Sequence, residues 1–473
     1  MARAWIWQSG RWRRHGKALA LLALLAPLSC ALAACGVSLP FVSAAPQQDC
    51  VAQQRGALGA GGVIVPLAAR DPTSSFHTSA LYALRASDGA LAWSCASTTY
   101  AGWDDVQMVN GVIYAIAGTE PTHGFPPATH AHGLYAIRPQ DGKQLWSYSF
   151  LAGSTSTLAF DGGLLFVSSV TTDPSGSQSA LYAIHTASGA LAWKVSFSAA
   201  LGQPFTVAHR VIVPETSGGD QTLRALREDS GAAAWSKRIG SSAQPASPFT
   251  LGGALYLTDP NAATLTAIDG ASGATRWTQS IPGTATGQIV AAPGALIAPT
   301  GLGVLALDPA TGAARWSAAL GDEPQLVRVA GQTIYAVSWT SNNTPDRLYA
   351  LSATNGRQLW SRDVSKLVSL GLLPGAGNQA YLTEPTRSRL LESVVALDQR
   401  GGDRWRFDGV SPYNSGIILA SGDALYYIWQ ASPTGDNPTD TTYVTRLRAT
   451  DGAALWQTPL PALNADPVAP LLA

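Results

Sequence analysis

The sequence predicts an all-β repeat fold, because the same three features recur together along most of the 473-residue chain. A short strand of alternating apolar residues is followed by a polar residue and Gly, and then by Trp, first in 81–93 and again in 134–146. Two apolar strands joined by a polar–Gly pair indicate a β-hairpin, because Gly adopts a positive φ without a Cβ clash. Repetition at a period of roughly 40 to 50 residues indicates units that must stack to bury both of their faces.

Nine tryptophans occupy the equivalent position in the repeats, and we expect them to join adjacent units. They are Trp93, Trp146, Trp193, Trp235, Trp277, Trp316, Trp360, Trp405 and Trp456. In seven units an Ala stands ten residues before the Trp, as Ala83 stands before Trp93. A small residue at a fixed offset from a large flat one predicts that the ring of one unit docks over the methyl group of another.

The motif resembles the PQQ-like β-propeller repeat, most closely at 304–316, where Val-Leu-Ala-Leu-Asp-Pro-Ala-Thr-Gly precedes Trp316. The resemblance covers about residues 60–460. It implies four-stranded blades in which each motif supplies the third and fourth strands and the Trp docks between blades. The predicted fold class is therefore an all-β propeller. Eight blades are usual for this family and are the preferred count, and nine is the alternative that the number of motifs suggests.

Two units depart from the pattern. The eighth is one residue shorter between Ala396 and Trp405, which predicts an altered turn. The ninth has Arg446 where the other units have Ala, so a neighbouring ring is not expected to dock there in the same way. The segment 466–471 is expected to return as a strand in the first blade, which would close the ring and cover an edge strand.

The N-terminus predicts export and membrane attachment. Five basic residues precede an apolar run over 18–34, which is the pattern of a secretory signal. The run ends in Leu-Ala-Ala-Cys-Gly at 32–36, which resembles a bacterial lipobox and implies lipidation of Cys35. An uncleaved anchor and an ordinary cleaved signal are the alternatives. The expected organisation is a lipoprotein signal peptide at 1–34, a lipidated N-terminus and tether at 35–55 and a PQQ-like β-propeller domain at 56–473. The expected location is the outer surface of the cell membrane, or the outer membrane where the host has one.

Composition and cysteine content agree with an exported protein. Removal of the signal would take five positive charges and leave 25 Lys and Arg against 30 Asp and Glu, which disfavours nucleic-acid binding. An extracytoplasmic compartment permits disulfides. Cys95 lies just after Trp93, and a bond to Cys50 would attach the tether to the ring. Two unrelated free thiols are the alternative.

Insertions between the expected second and third strands of several blades predict an uneven interaction surface on one face of the ring. They fall at 71–79, 118–132, 171–179, 340–347 and 431–443. Function tends to lie in such loops, although loop length also drifts without a function.

Candidate ligands in these loops give no convincing site. His123, His130 and His132 lie close together and could share a metal, but solvated loop histidines are the favoured interpretation. Asp436 and Asp440 lack the Gly and Glu spacing of a calcium loop. Trp103, Trp339 and Trp429 stand outside the repeat position, where they either anchor a partner or fill the core. We therefore expect no metal and no cofactor.

The family resemblance allows two kinds of function. Quinoprotein dehydrogenases carry related repeats, often with adjacent cysteines beside the quinone, but this chain has no Cys-Cys pair and no recognisable catalytic triad. The resemblance to the BamB family of propeller lipoproteins instead implies a monomeric, membrane-tethered scaffold that is not an enzyme. Such a scaffold would bind envelope proteins through its long-loop face. A surface sensor for a small molecule or glycan is the alternative, and a quinoprotein-type enzyme is less favoured.

Overall fold

The computed structural model describes most of the chain from residue 53 onward. The described residues are 53–70, 77–97, 102–118, 132–150, 154–155, 157–173, 176–240, 249–283, 288–321, 323–338, 346–364, 372–375, 379–385, 392–410, 416–431, 441–463, 465–467 and 470–473. They form strands and turns without a helix, and none of them belongs to a helical segment that could span a membrane.

The strands follow one another in groups that each form one sheet. The first three groups are β1 (Gln53–Gln54), β2 (Val63–Arg70), β3 (His77–Leu84), β4 (Leu91–Ser97); β5 (Gly102–Val109), β6 (Val112–Gly118), β7 (His132–Ile137), β8 (Gln144–Phe150); and β9 (Ser154–Thr155), β10 (Ala159–Asp161), β11 (Leu164–Asp173), β12 (Gly176–His185), β13 (Leu191–Phe197). The next three are β14 (Ala200–Leu201), β15 (Phe205–Val207), β16 (Arg210–Ser217), β17 (Asp220–Arg227), β18 (Ala233–Gly240); β19 (Phe249–Leu251), β20 (Ala254–Asp259), β21 (Thr264–Asp269), β22 (Thr275–Ser280); and β23 (Val290–Ala292), β24 (Ala295–Thr300), β25 (Gly303–Leu307), β26 (Ala314–Ala319). The last three are β27 (Pro324–Ala330), β28 (Thr333–Ser338), β29 (Asp346–Ser352), β30 (Gln358–Val364); β31 (Leu373–Pro374), β32 (Ala380–Pro385), β33 (Glu392–Leu397), β34 (Asp403–Val410); and β35 (Ile417–Ser421), β36 (Ala424–Ala431), β37 (Thr441–Arg448), β38 (Ala454–Leu463), followed by β39 (Ala465–Pro467) and β40 (Leu471–Leu472).

The sheets are the nine blades of a β-propeller, numbered here in chain order. In the blades consecutive strands are antiparallel neighbours, as in β19-β20-β21-β22 of blade 5, except that β1 of blade 1 pairs with β4. In blades 3 and 4 the first strand is split into two short pieces that pair with the same second strand. The predicted all-β propeller is therefore confirmed, and the blade count is nine, the alternative to the preferred eight.

The ring closes through the first blade, as the sequence predicts. β39 pairs with β2 through Leu67 and Pro467, and β40 pairs with β2 through Ile64 and Leu471. These two strands supply the blade with the first strand that the N-terminal repeat lacks. The edge of β2 is thus covered where it would otherwise expose unpaired backbone groups.

Antiparallel pairing puts the connections on two opposite faces. The turns that follow the first and third strands of each blade lie on one face, which we call the turn face. The insertions that predict an interaction surface follow the second strands, on the other face. Four of them lie mainly outside the described residues, whereas the one predicted at 171–179 is largely an extension of β11 and β12, which pair as far as Asp173 and Gly176. Most of the turn face lies within the described residues.

Apolar residues from neighbouring blades pack against one another and form the core. Between blades 4 and 5, for example, Ile212 and Ala225 are fully buried with Leu255. The fourth strands alternate between exposed and half-buried residues, as in β22 and β26. The blades are therefore joined by their faces. Among the described residues, the fourth strand is the outer edge of the sheet in blades 2 to 9, whereas β1 covers β4 in blade 1.

Candidate functional site

The repeated tryptophans connect each blade to the turn of the next blade. The ring Nε1–H groups of eight of them donate to a backbone carbonyl in that turn, at 2.7–3.2 Å. The last of these, Trp456, donates to Ala86 in blade 1 and so continues the series across the closure of the ring. The edge of each of these Trp rings therefore helps to hold two neighbouring blades together.

The turn glycine accepts the face of the same ring. Gly273 has a φ of +74°, and a Cβ added there would lie 2.6 Å from the ring of Trp235. A residue with a side chain would therefore suffer both backbone strain and a steric clash. The Trp and the Gly of consecutive repeats form one packing unit.

The alanine that precedes the Trp in eight repeats is its cross-strand partner in the same blade. Ala83 is the cross-strand partner of Trp93 within the same blade, and Arg446 is the corresponding partner of Trp456 in blade 9. Rings of neighbouring blades meet the turn glycine, as the ring of Trp405 meets Gly452 of blade 9. Arg446 accordingly obstructs no docking, and its guanidinium lies 3.7 Å from the carboxylate of Asp423.

The shortened eighth repeat does have an altered turn. In the other units the turn glycine N–H bonds the carbonyl four residues earlier, as Gly312 bonds Asp308. In blade 8 Gly401 bonds Asp398, three residues earlier. The tighter turn compensates for the missing residue, so Ala396 and Trp405 remain cross-strand partners.

The predicted covalent sites lie largely outside the described residues, which include neither Cys35 nor Cys50. Cys95 is fully buried in β4 and is disulfide-bonded. The short strand β1 runs beside it, with Gln53 paired to Ser94. This register brings the chain just after Cys50 to the fourth strand of blade 1, and pairing of Cys50 with Cys95 stays a prediction.

The other candidates from the sequence give no site in the described part of the chain. His123, His130, Trp339, Asp436 and Asp440 are outside it, and only the backbone of His132 is described. Trp103 is buried, and Trp429 stacks on Tyr443 with ring centroids 4.6 Å apart. The rings of Trp103 and Trp429 therefore contribute to packing. A groove of about 250 Å³ between blades 4 and 5 is smaller than most small-molecule sites.

One corner of the turn face carries three potential metal ligands that sequence analysis missed. Asp161 ends the first strand of blade 3, His209 lies in the two-residue turn between β15 and β16 of blade 4, and Glu228 begins the turn after β17. The backbone carbonyl of Glu228 also accepts the Nε1–H of Trp193 at 2.7 Å. We call Asp161, His209 and Glu228 the His209 cluster; it lies where blades 3 and 4 meet.

The geometry of the His209 cluster is compact. His209 Nδ1 lies 3.9 Å from Asp161 Oδ2 and 3.8 Å from Glu228 Oε2, and one ligand atom from each residue lies within 4.8 Å of the others. Glu228 is 8% exposed, whereas the His209 side chain is 85% exposed. Burial, reinforced by the neighbouring Asp161 carboxyl group, raises the pKa of Glu228 to about 7.

Six aspartates elsewhere on the turn face have arginine partners. Asp88, Asp141, Asp229, Asp269, Asp308 and Asp451 each lie 2.5–2.8 Å from an Arg of the same hairpin. Hydrogen bonds from these arginines hold the pKa of Asp88, Asp229, Asp269 and Asp308 at about 2. The His209 cluster is chemically different, because its two carboxylates have an imidazole and no arginine within ion-pair distance among the described residues.

The repeat itself contains the signal that reveals this corner. Three residues before the turn glycine, the other full-length units have Ala86, Pro139, Thr186, Gly270, Pro309, Ala353 and Ala449 where blade 4 has Glu228. The turn of blade 4 also has Ala208 and His209 at φ of 51° and 57°, where blade 5 has Gly252 and Gly253. Comparison of the units with one another would have marked both departures.

Comparisons with known proteins identify the family. The family model described as outer membrane protein assembly factor BamB matches residues 130–293 and 261–406, which together span more than half of the chain. No curated protein matches the chain. A solved structure described as the eukaryotic initiation factor is 10% identical, covers 88% of this chain and 98% of its own, and has a TM-score of 0.57, which shows the propeller fold.

Two further solved structures are similar at lower TM-scores. BamB from Moraxella catarrhalis is 16% identical, with 72% of this chain and 92% of that chain covered and a TM-score of 0.47. A quinohemoprotein alcohol dehydrogenase from Pseudomonas putida HK5 is 14% identical, with coverage of 76% and 66% and a TM-score of 0.39. With the repeat, the ring and the family match in agreement, the chain belongs to the BamB family of PQQ-like β-propellers.

Proposed function

We propose that the protein is an extracytoplasmic scaffold that binds envelope proteins, is tethered to a membrane through lipidated Cys35, and performs no catalysis. The observation that carries the proposal is the match of residues 130–406 to the family of an outer-membrane assembly factor. The repeated Trp rings join neighbouring blades, so their presence is explained by the architecture. This role supports the proposal. The role in envelope assembly and the lipid anchor both belong to the proposal.

Two surfaces are available for a protein partner. The first is the face that carries the long insertions of the sequence. The second is the set of fourth strands, which are open edges that a partner strand can extend. Blade 1 supports the second surface, because β1 already extends the edge of β4 through Gln53 and Gln54.

Photo-crosslinking in intact cells distinguishes the two surfaces and tests the scaffold. A photoreactive residue is placed at Thr122 in the 118–132 insertion, at Leu359 on the fourth strand of blade 7, or at Asp451 on the turn face as the control. Leu359 is 41% exposed, so its replacement leaves the core intact. We expect one discrete envelope protein to be captured from Thr122 or Leu359, and none from Asp451.

Two results would contradict the scaffold. Equal labelling of many proteins from all three positions would mean that no specific partner exists. Dye-linked alcohol oxidation by the purified protein after addition of PQQ would mean that the chain is a quinoprotein enzyme.

The tether is tested separately from the partner. Mass spectrometry of the mature N-terminus should find a diacylglyceryl-modified Cys35 with an acylated amine, since two or more acyl chains are needed for stable anchoring. Cys35→Ala should release the protein from the membrane fraction without changing its fold. A mature N-terminus that begins elsewhere would rule out the lipoprotein and leave the scaffold untouched.

A further inference from the structure

We propose that the His209 cluster is a binding site for a divalent transition-metal ion such as Zn²⁺, which would join blade 3 to blade 4. The proposal is independent of the scaffold function. It rests on the three side chains Asp161, His209 and Glu228, which nothing in the architecture of the repeat requires.

The donor set fits such an ion. One imidazole nitrogen and two carboxylate oxygens are common zinc ligands, whereas calcium and magnesium prefer oxygen ligands alone. Ligand atoms around a tetrahedral zinc ion are about 3.3 Å apart, given bonds of about 2.0 Å. The separations of 3.8 and 3.9 Å from His209 Nδ1 therefore require a closure of roughly half an ångström. The exposed His209 side chain can make that movement, and three protein ligands leave a fourth position for water.

Glu228 supplies an observation independent of the clustering. Its Oε1 atom is fully buried and has no hydrogen-bond partner in the described part of the chain, although only 8% of the residue is exposed. Buried carboxylates are normally paired or bound to a metal, because an uncompensated one is strongly destabilising. The carboxyl group of Glu228 has the Asp161 carboxyl group as its hydrogen-bonding neighbour, which raises its pKa. Arg210 offsets the charge only in part: it lowers the pKa of Glu228, but its Nη1 donates to the His209 carbonyl at 2.8 Å and it forms no ion pair with either acid among the described residues. A cation between the carboxylates would provide the missing partner.

Comparison with the next blade interface shows that the cluster is not a by-product of the fold. The positions equivalent to Asp161, Glu228 and His209 are Val207, Gly270 and Gly253 between blades 4 and 5. A Cβ on Gly270 would lie 2.8 Å from the Val207 side chain, so the end of a first strand and the next blade's third turn also lie close together at this corner. Of these two corners, the one between blades 3 and 4 brings ligand atoms together.

The test is zinc titration of the untagged, metal-stripped protein by calorimetry, with the visible spectrum of Co²⁺ as a second probe. We expect one ion per chain with micromolar affinity and an increase in Tm on binding, since the ion binds the folded state. Glu228→Gln, which keeps the volume, and His209→Gly, which suits the positive φ, should each weaken binding at least tenfold and remove the increase in Tm. Mg²⁺ and Ca²⁺ should not compete.

Two matched controls locate the site. His185→Ala removes an exposed histidine at the end of β12 and should leave the affinity unchanged. A triple variant, His123→Ala with His130→Ala and His132→Ala, should also bind zinc normally. Absence of binding below millimolar zinc, or loss of binding in the triple variant with retention in His209→Gly, would overturn the proposal. Because His209→Gly should increase the Tm of the metal-free protein, loss of its zinc response cannot be attributed to unfolding.

Discussion

Two neighbouring corners of the turn face have the same backbone and opposite chemistry. Between blades 4 and 5, Val207, Gly253 and Gly270 bring together an apolar side chain and two residues without side chains. Between blades 3 and 4 the equivalent positions hold Asp161, His209 and Glu228. The same ring architecture thus supports a closely packed joint at one corner and a polar cluster with unsatisfied bonding capacity at the next.

The difference also appears in the electrostatics of the two corners. Asp269, next to Gly270, accepts hydrogen bonds from Arg276 and from Ser272, and its pKa is lowered to about 2. Burial and a second carboxyl group raise the pKa of Glu228 to about 7. Arginine thus keeps Asp269 ionised, whereas Glu228 has no arginine within ion-pair distance among the described residues. In a repeat protein, a residue that breaks the repeat pattern and lowers stability is a better guide to function than one that breaks the pattern without affecting stability.

The largest expected effect tests whether the two corners share one structural joint. Trp193→Ala and Trp235→Ala should each reduce the free energy of unfolding of the metal-free protein by about 3 kcal/mol, because both remove a large docked ring. Leu145→Ala, at an exposed position on β8, is the control and should change it by less than about 0.5 kcal/mol. Urea unfolding measures all three. A Trp193 effect much smaller than the Trp235 effect would mean that the polar corner is not built on the same joint.

A smaller effect of opposite sign is expected from exchange of the turn residues. His209→Gly should stabilise the metal-free protein by about 1 kcal/mol, because a non-glycine residue in the left-handed region is strained. Gly253→His should destabilise it by about the same amount, since nothing lies closer than 4.0 Å to a Cβ there and only the φ of +72° opposes the change. The check is the shift in the urea midpoint with EDTA present. Equal signs for the two variants would contradict the strain argument.

The smallest effect concerns the acid of the regular corner. The pKa of Asp269 is lowered from 3.8 to about 2, so its contribution to stability is present above pH 3.8 and is lost as the pH falls towards 2. Asp269→Asn should therefore reduce stability by about 0.5 kcal/mol at pH 6, a small value because the ion pair is partly exposed. The difference between the wild type and the variant should disappear near pH 2 in thermal melts. A difference that persists at pH 2 would show that the carboxylate charge is not what stabilises this turn.

The repeat predicted much of the fold, because its signals are local. A hairpin places residues ten apart across from each other, which explains why Ala and Trp keep a fixed offset within one blade. The sequence offset could not tell a cross-strand partner from a partner in the next blade, so it did not identify the turn glycine as a contact of the ring. A positive φ is by itself a sufficient reason for glycine in the turn, so the contact between this glycine and the Trp ring is not apparent from the sequence.

The candidate site could not be predicted from local signals of this kind. Asp161 and Glu228 lie in different blades and meet only because the ring brings the end of a first strand against the following blade's third turn. A search for motifs with ligands at short spacing found His123, His130 and His132 instead. The blade count was ambiguous for a related reason, since closure depends on how a distant strand completes blade 1.

The closure through β39 and β40 has a kinetic consequence. Most blades are assembled from strands that follow directly along the chain, so they can form early and in order. Blade 1 depends on residues near 465–472 that pair with β2 at 63–70, the contact of longest sequence separation in the sheet network. Contacts of this kind form slowly because a long loop must be closed first. Folding should therefore have a late step that turns an open array of blades into one cooperative unit, and Leu67 and Pro467 lie where that step takes place.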